Sequence, residues 1–190
     1  MKFERHSNLK GLHAPFTPSQ PSWLRYDDDR ALEVYANKKA AELGSRLHAW
    51  AKETIDLGIK QPRSKKTLYA YVNDAIGFKM ETEVVLFYSE RFFGTADAIS
   101  CRTNEEGREV LRIHDLKTGI SPVHMEQLLV YAALFCLEYR KKPADLDIEL
   151  RIYQSDEVEY HIPEPEEVTA VMNQIVHLDK LIMKAEYEEG

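Results

Sequence analysis

The segment Arg112–Gly119 (RIHDLKTG) ends an apolar run with two groups able to do chemistry. Asp115 and Lys117 are two residues apart. On a strand they share one face with Leu111 and Ile113 and emerge where the run gives out. Upstream, Asp97 lies in FFGTADAISC (Phe92–Cys101), and the turn signal Asn104–Gly107 separates the two stretches. A hairpin centred near Glu105–Glu106 pairs residues whose numbers sum to about 211, which sets Asp97 across from His114 and beside Asp115. Two carboxylates at close range repel each other unless a cation lies between them. A hard divalent cation removes the repulsion, and Mg2+ is typically held by one or two carboxylates with phosphate oxygens. Glu83, at the head of the preceding strand, is a further acid for such a cluster. A D-x-K pair met alone is more often an exposed ion pair of little energetic worth.

The elements that must position these groups follow from the apolar periods. Pro15, Pro18 and Pro21 make residues 1–26 an extended arm. Asp27-Asp28-Asp29 opens a helix, because acids suit the positive end of its dipole. Leu32, Ala36, Ala40, Leu43 and Leu47 carry that helix toward Gly58. The stretch Gly58–Lys66 is a basic loop, and a shorter helix follows over residues 67–76. Glu83–Tyr88, Phe92–Cys101 and Glu109–Leu116 read as strands. Ser121-Pro122 is a helix-start signal for a helix that ends before Pro143. Leu146–Tyr153 alternates as a strand, and Pro165–Tyr187 has the spacing of an amphipathic helix. The order αβββαβ plus a C-terminal helix predicts an α/β (α+β) domain, with a mixed central sheet flanked by helices.

At 190 residues the prior is one domain, here 1–190, with an arm (1–26), a core (27–153) and an appendage (155–190). Residues 155–190 hold ten acids against Lys180 and Lys184, a charge of −8, so the net −7 leaves +1 for the rest. The body is near neutral, which neither excludes nor favours a nucleic-acid partner. There is no apolar run of membrane length and no secretory leader pattern, and Cys101 and Cys136 have neither metal-site nor disulfide-framework spacing. These features predict a cytoplasmic protein without a membrane partner. The absence of G-x-S-x-G and of a phosphate-binding glycine loop argues against a serine hydrolase and an ATP-driven enzyme.

Four motifs stand in order: GSRLH (Gly44–His48), GTADAI (Gly94–Ile99), HDLKTG (His114–Gly119) and QLLVY (Gln127–Tyr131). Together they resemble the PD-(D/E)XK nuclease superfamily. The likeness is to its RecB-type branch, which includes viral recombination exonucleases, and it spans about residues 19–153. The resemblance implies a restriction-endonuclease-like core and a Mg2+- or Mn2+-dependent deoxyribonuclease. It implies that His48, Asp97, Asp115 and the Leu116 carbonyl hold the metal, and that Lys117 orients water and stabilises charge on the phosphate. Gln127 and Tyr131, at i and i+4 on one helix face, would brace the site and touch substrate. Lys60, Arg63, Lys65 and Lys66 are expected to grip DNA phosphates. Relatives with an iron–sulfur cluster need four cysteines, so no cluster is expected. Where the branch often has an acid four residues after the histidine, this chain has Lys52, and Glu53 is not a substitute for it. The expected activity is an exonuclease of phage type acting on linear or single-stranded DNA ends in recombination or repair. Its expected partner is a recombination or single-strand annealing protein, in the host cytoplasm if viral. A homo-oligomer is compatible with such an enzyme. An endonuclease of the same fold and a non-catalytic DNA-end or partner-binding protein are the alternatives.

Overall fold

The computed structural model describes Ser7 and residues 14–189, so the first part of the sequence-predicted arm of residues 1–26 (1–13, save Ser7) lies outside the described residues. The chain divides into two compact units, Met1–Arg46 and Leu47–Gly190. In the first, a 3-10 turn spans Pro21–Arg25. The Trp23 indole donates to the Thr17 carbonyl at 3.0 Å. Asp27 caps helix α1 (Asp28–Asp56), its carboxylate accepting the Arg30 amide at 2.8 Å, as a short acidic side chain does at an N-terminus. Leu32 and Leu43 of α1 are exposed.

The second unit contains the last turns of α1, then α2 (Thr67–Gly77), β1 (Glu81–Ser89), β2 (Phe92–Thr103) and β3 (Glu109–Leu116). These are followed by α3 (Glu126–Glu138), β4 (Leu146–Gln154), β5 (Glu157–His161) and α4 (Pro165–Glu189). The architecture is mixed α/β, with one five-stranded mixed sheet in the order β1-β2-β3-β4-β5. β3 and β4 run parallel, and α3 supplies the crossover that such a pair requires. The other three pairings are antiparallel. β3 is covered on both faces, which explains why it reads as a nearly unbroken apolar run. On one face Leu111, Ile113, Leu150 and Ile152 pack with Leu128 and Ala132 of α3 and Val168 and Ile175 of α4. On the other, Leu116 and Tyr153 pack with Tyr71 and Val72 of α2 and Ala51 and Ile55 of α1.

The β2–β3 turn is held by its own side chain. The Asn104 carboxamide oxygen accepts the amides of Glu106 (3.1 Å) and Arg108 (2.9 Å), and Gly107 takes a φ of 81° that suits glycine. Ala98 pairs with His114, so opposite residues sum to 212 rather than the predicted 211. That one-residue correction matters, because it sets Asp97 level with Asp115.

Three expectations change. The helix signalled at Ser121-Pro122 begins only at Glu126, because the Gln154 carboxamide donates to the carbonyls of Gly119 (2.6 Å) and Ser121 (2.9 Å) and holds this stretch non-helical. β5 was not anticipated. It returns from β4 through Ser155-Asp156, both with positive φ (49° and 64°), the geometry of a two-residue type I′ hairpin. The acidic segment taken for an appendage instead supplies an edge strand and a core helix. Its acids are partly structural: Asp179 accepts the Ser89 hydroxyl at 2.7 Å and pairs with Arg91, which also pairs with Glu186.

Candidate active site

The middle of β2, the end of β3 and the starts of α3 and of the second unit's part of α1 bring the sequence-predicted groups together. Asp97 on β2 and Asp115 on β3 occupy neighbouring positions one step beyond the Ala98–His114 pair and leave the sheet on the same side. Asp97 Oδ2 accepts the Leu116 amide at 3.0 Å, so one acid is fixed by the backbone of the strand that carries the other. His48, on α1, sets its Nδ1 3.4 Å from the same Asp97 oxygen. Burial, and next the Asp115 charge, raise the proton affinity of Asp97; the Leu116 amide, His48 and Lys117 oppose that rise.

Asp115 is 3% exposed. The Lys117 ammonium lies 2.9 Å from its Oδ2 but is aligned to donate to Oδ1, at 3.2 Å, so the buried Oδ2 has no aligned hydrogen-bond donor. Lys117 also donates to Gln127 Oε1 at 2.8 Å, and Gln127 Nε2 stands 3.4 Å from the Tyr131 hydroxyl. Tyr131 in turn lies against Gly94, where an added Cβ would come within 2.9 Å of Cε1. A line of contacts therefore runs Gly94–Tyr131–Gln127–Lys117–Asp115, joining three of the four motifs.

Glu83 sits on the same row. Its neighbours Thr82 and Val84 pair with Ala98 and Ala96, which puts Glu83 level with Asp97 on β1. It has a φ of 52° inside a strand, a strain of order 1–3 kcal/mol for a non-glycine residue. Its side chain is exposed and does not close with the other two acids. Among the described residues, no three His, Cys, Asp or Glu side chains stand close enough to enclose a cation as they are placed. Lys52, one turn beyond His48, pairs with Asp56, whose other oxygen accepts the Thr82 hydroxyl at 2.7 Å. It belongs to a neighbouring cluster that ties α1 to β1.

Lys60, Arg63, Lys65 and Lys66 lie exposed in the coil before α2 and, among the described residues, form no ion pairs. The Lys66 ammonium lies 5.4 Å from the centre of the Tyr69 ring. Cys136 is buried in α3, which pushes its thiol up to about 11, and Cys101 is half-buried on β2. Tyr71 was not anticipated at the site. It is buried on α2, and its phenol is pushed up by burial and then by the charges of Asp97 and Asp115, so it stays a neutral hydroxyl. In the sequence it is one more apolar position of a short helix, with nothing to mark it.

No protein-family model, curated protein or solved structure matches this chain. No helix among the described residues is long and apolar enough to cross a membrane.

Proposed function

We propose that this protein is a divalent-cation-dependent deoxyribonuclease with a restriction-endonuclease-like core of the PD-(D/E)XK type, RecB branch, acting as an exonuclease on DNA ends. The observation that carries the reading is the convergence of four separate motifs on one place: His48 and Asp97 at 3.4 Å, Asp97 tied to Leu116, and Lys117 between Asp115 and Gln127. The residues fit a hard divalent cation. Two carboxylates of one row, one of them buried, and an imidazole make an oxygen-rich donor set with a single nitrogen. His48, Asp97 and Asp115 would hold Mg2+ or Mn2+, with the Leu116 carbonyl. When bound, the cation polarises a phosphoryl oxygen and lowers the pKa of water.

The chain's own residues do the rest. Asp97, braced by the Leu116 amide, keeps a fixed orientation. Lys117 supplies a positive charge for the pentacovalent phosphate and a donor for the attacking water. Gln127 and Tyr131 fix the direction of that ammonium. Lys60, Arg63, Lys65 and Lys66, exposed and without ion pairs among the described residues, are available to phosphates; their joint replacement by Ala should lower the salt slope of DNA binding by about 3.

The test is incubation of linear and closed circular DNA with Mg2+ or Mn2+, with and without EDTA. Loss of the linear substrate alone, abolished by EDTA and in Asp115→Ala and Lys117→Ala, is the expected result. Loss of both substrates makes the protein an endonuclease. Binding of ends without any cleavage makes it a non-catalytic DNA-end protein and overturns the enzymatic reading.

A further inference from the structure

We infer that Lys117 occupies the cation's seat in the resting protein, and that Gln127 is the positioning residue that receives the ammonium when a cation displaces it. The inference rests on the cation-dependent reading above.

Lys117 reaches two acceptors of unequal kind. One is the charged carboxylate of Asp115, 2.9 Å from the ammonium at Oδ2; the other is the neutral amide oxygen of Gln127, at 2.8 Å. The carboxylate is buried and faces a second acid, so without a cation the ammonium is the positive charge that makes this pair of acids tolerable. A divalent ion bound to Asp115 removes that need. An ammonium and a divalent cation cannot both lie against the same carboxylate oxygen, because like charges at that range repel strongly.

The ammonium does not need to leave the site when it is displaced. Gln127 Oε1 already holds it, and Gln127 is itself steadied by the Tyr131 hydroxyl 3.4 Å away. Tyr131 can lie there only because Gly94 has no Cβ. The side chain of Lys117 is about one-third exposed, so it can swing about this anchor toward an incoming phosphate. Cation arrival and delivery of the catalytic ammonium are then one event: the ion that enters releases the charge that the substrate needs.

The sign of one measurement separates this from a purely structural lysine. Free Mn2+, followed by electron paramagnetic resonance during titration of the whole chain, gives the dissociation constant. Removing a resident competitor tightens binding, so Lys117→Met and Lys117→Gln should bind Mn2+ about tenfold more tightly than the wild type while cleaving no DNA. Gln127→Leu, which leaves the ammonium no second acceptor, should bind Mn2+ more weakly. In the wild type, acylation of Lys117 by acetic anhydride, read by peptide mass spectrometry, should quicken when Mn2+ is added. Lysine variants that bind Mn2+ no more tightly than the wild type, or acylation that is unchanged or slowed, overturn the exchange. Unchanged Mn2+ affinity in Gln127→Leu removes Gln127 from it. In each of these cases a wild type that binds Mn2+ and cleaves DNA leaves the nuclease reading intact. A wild type that neither binds Mn2+ nor cleaves overturns both.

Discussion

On β3 two adjacent side chains, His114 and Asp115, lead to polar clusters of opposite character. His114 points to the face packed by α2. There Tyr153 donates its hydroxyl hydrogen to Asp74 at 2.7 Å, so the tyrosine oxygen accepts from His114 Nδ1 at 3.2 Å. Asp74 and Glu149 face Arg151 and Arg112, and both guanidiniums lie against the Phe78 ring, Arg112 at 4.4 Å and Arg151 at 5.1 Å from its centre. Two anions meet two cations, and an aromatic ring fills the space between them. At Asp115 the balance is different: two acids, Asp97 and Asp115, face one lysine. Charge-matched polar clusters hold a structure together, whereas a cluster left short of positive charge is a place for a ligand. Neither strand pattern nor burial separates the two; the count of charges does.

The comparison breaks most sharply under substitutions that keep shape. Asp97→Asn retains an acceptor for the Leu116 amide and relieves repulsion with Asp115, so it should leave thermal stability unchanged or higher. DNA cleavage should fall about 10³-fold, since cation-assisted charge stabilisation is worth several kcal/mol. A fall in the unfolding temperature alongside intact cleavage would reverse the roles assigned to the two clusters. Gly94→Ala pushes a methyl into Tyr131 and should lower cleavage about tenfold by moving Gln127 and Lys117 off line. Single-turnover rates at saturating Mn2+ measure this.

On the other face, Tyr153→Phe leaves His114 Nδ1 without its partner and removes one donor from Asp74, and should cost about 1–3 kcal/mol in urea unfolding, with cleavage within a few-fold of the wild type. The smallest effect is the pH dependence of His114. Burial, and next Arg151 and Arg112, lower its pKa from 6.5 to about 3. Between these values the unfolded chain binds a proton that the folded one refuses, so stability is full above pH 6.5 and is lost as the pH falls toward 3. The loss from this one group approaches 1.4 kcal/mol per pH unit. His114→Asn should flatten that limb in urea titrations at pH 7, 6 and 5; an unchanged slope would assign it to carboxylates alone.

Much of this arrangement is legible in the sequence, for reasons local to each element. The alternation in Leu111–Lys117 announces which residues share a face, and Gly107 announces the turn that brings Asp97 alongside. The Asp27 cap, the bounds of β3 and the span of α4 follow from capping and period. What stays hidden depends on contacts distant in sequence. β5 carries Glu157 and Glu159 on a five-residue edge, with too little apolar signal to mark a strand, although Ser155-Asp156 is a turn that could have announced it. The late start of α3 reflects two hydrogen bonds from Gln154, thirty-odd residues away, that override a good local signal. The positive φ of Glu83 and the charge-matched surroundings of His114 have no mark in the sequence at all. They arise only when strands are laid side by side.

The Asn104–Gly107 turn has a consequence beyond closing a hairpin. It counts residues. Side chains alternate along β3, so a turn longer by one residue would exchange the faces of His114 and Asp115 relative to β2. The imidazole would then stand beside Asp97, while the carboxylate went among the α2 side chains. Such a length variant would keep every motif intact in its sequence and yet scatter the cluster, so the spacing between motifs carries as much of the site's specification as the motifs themselves.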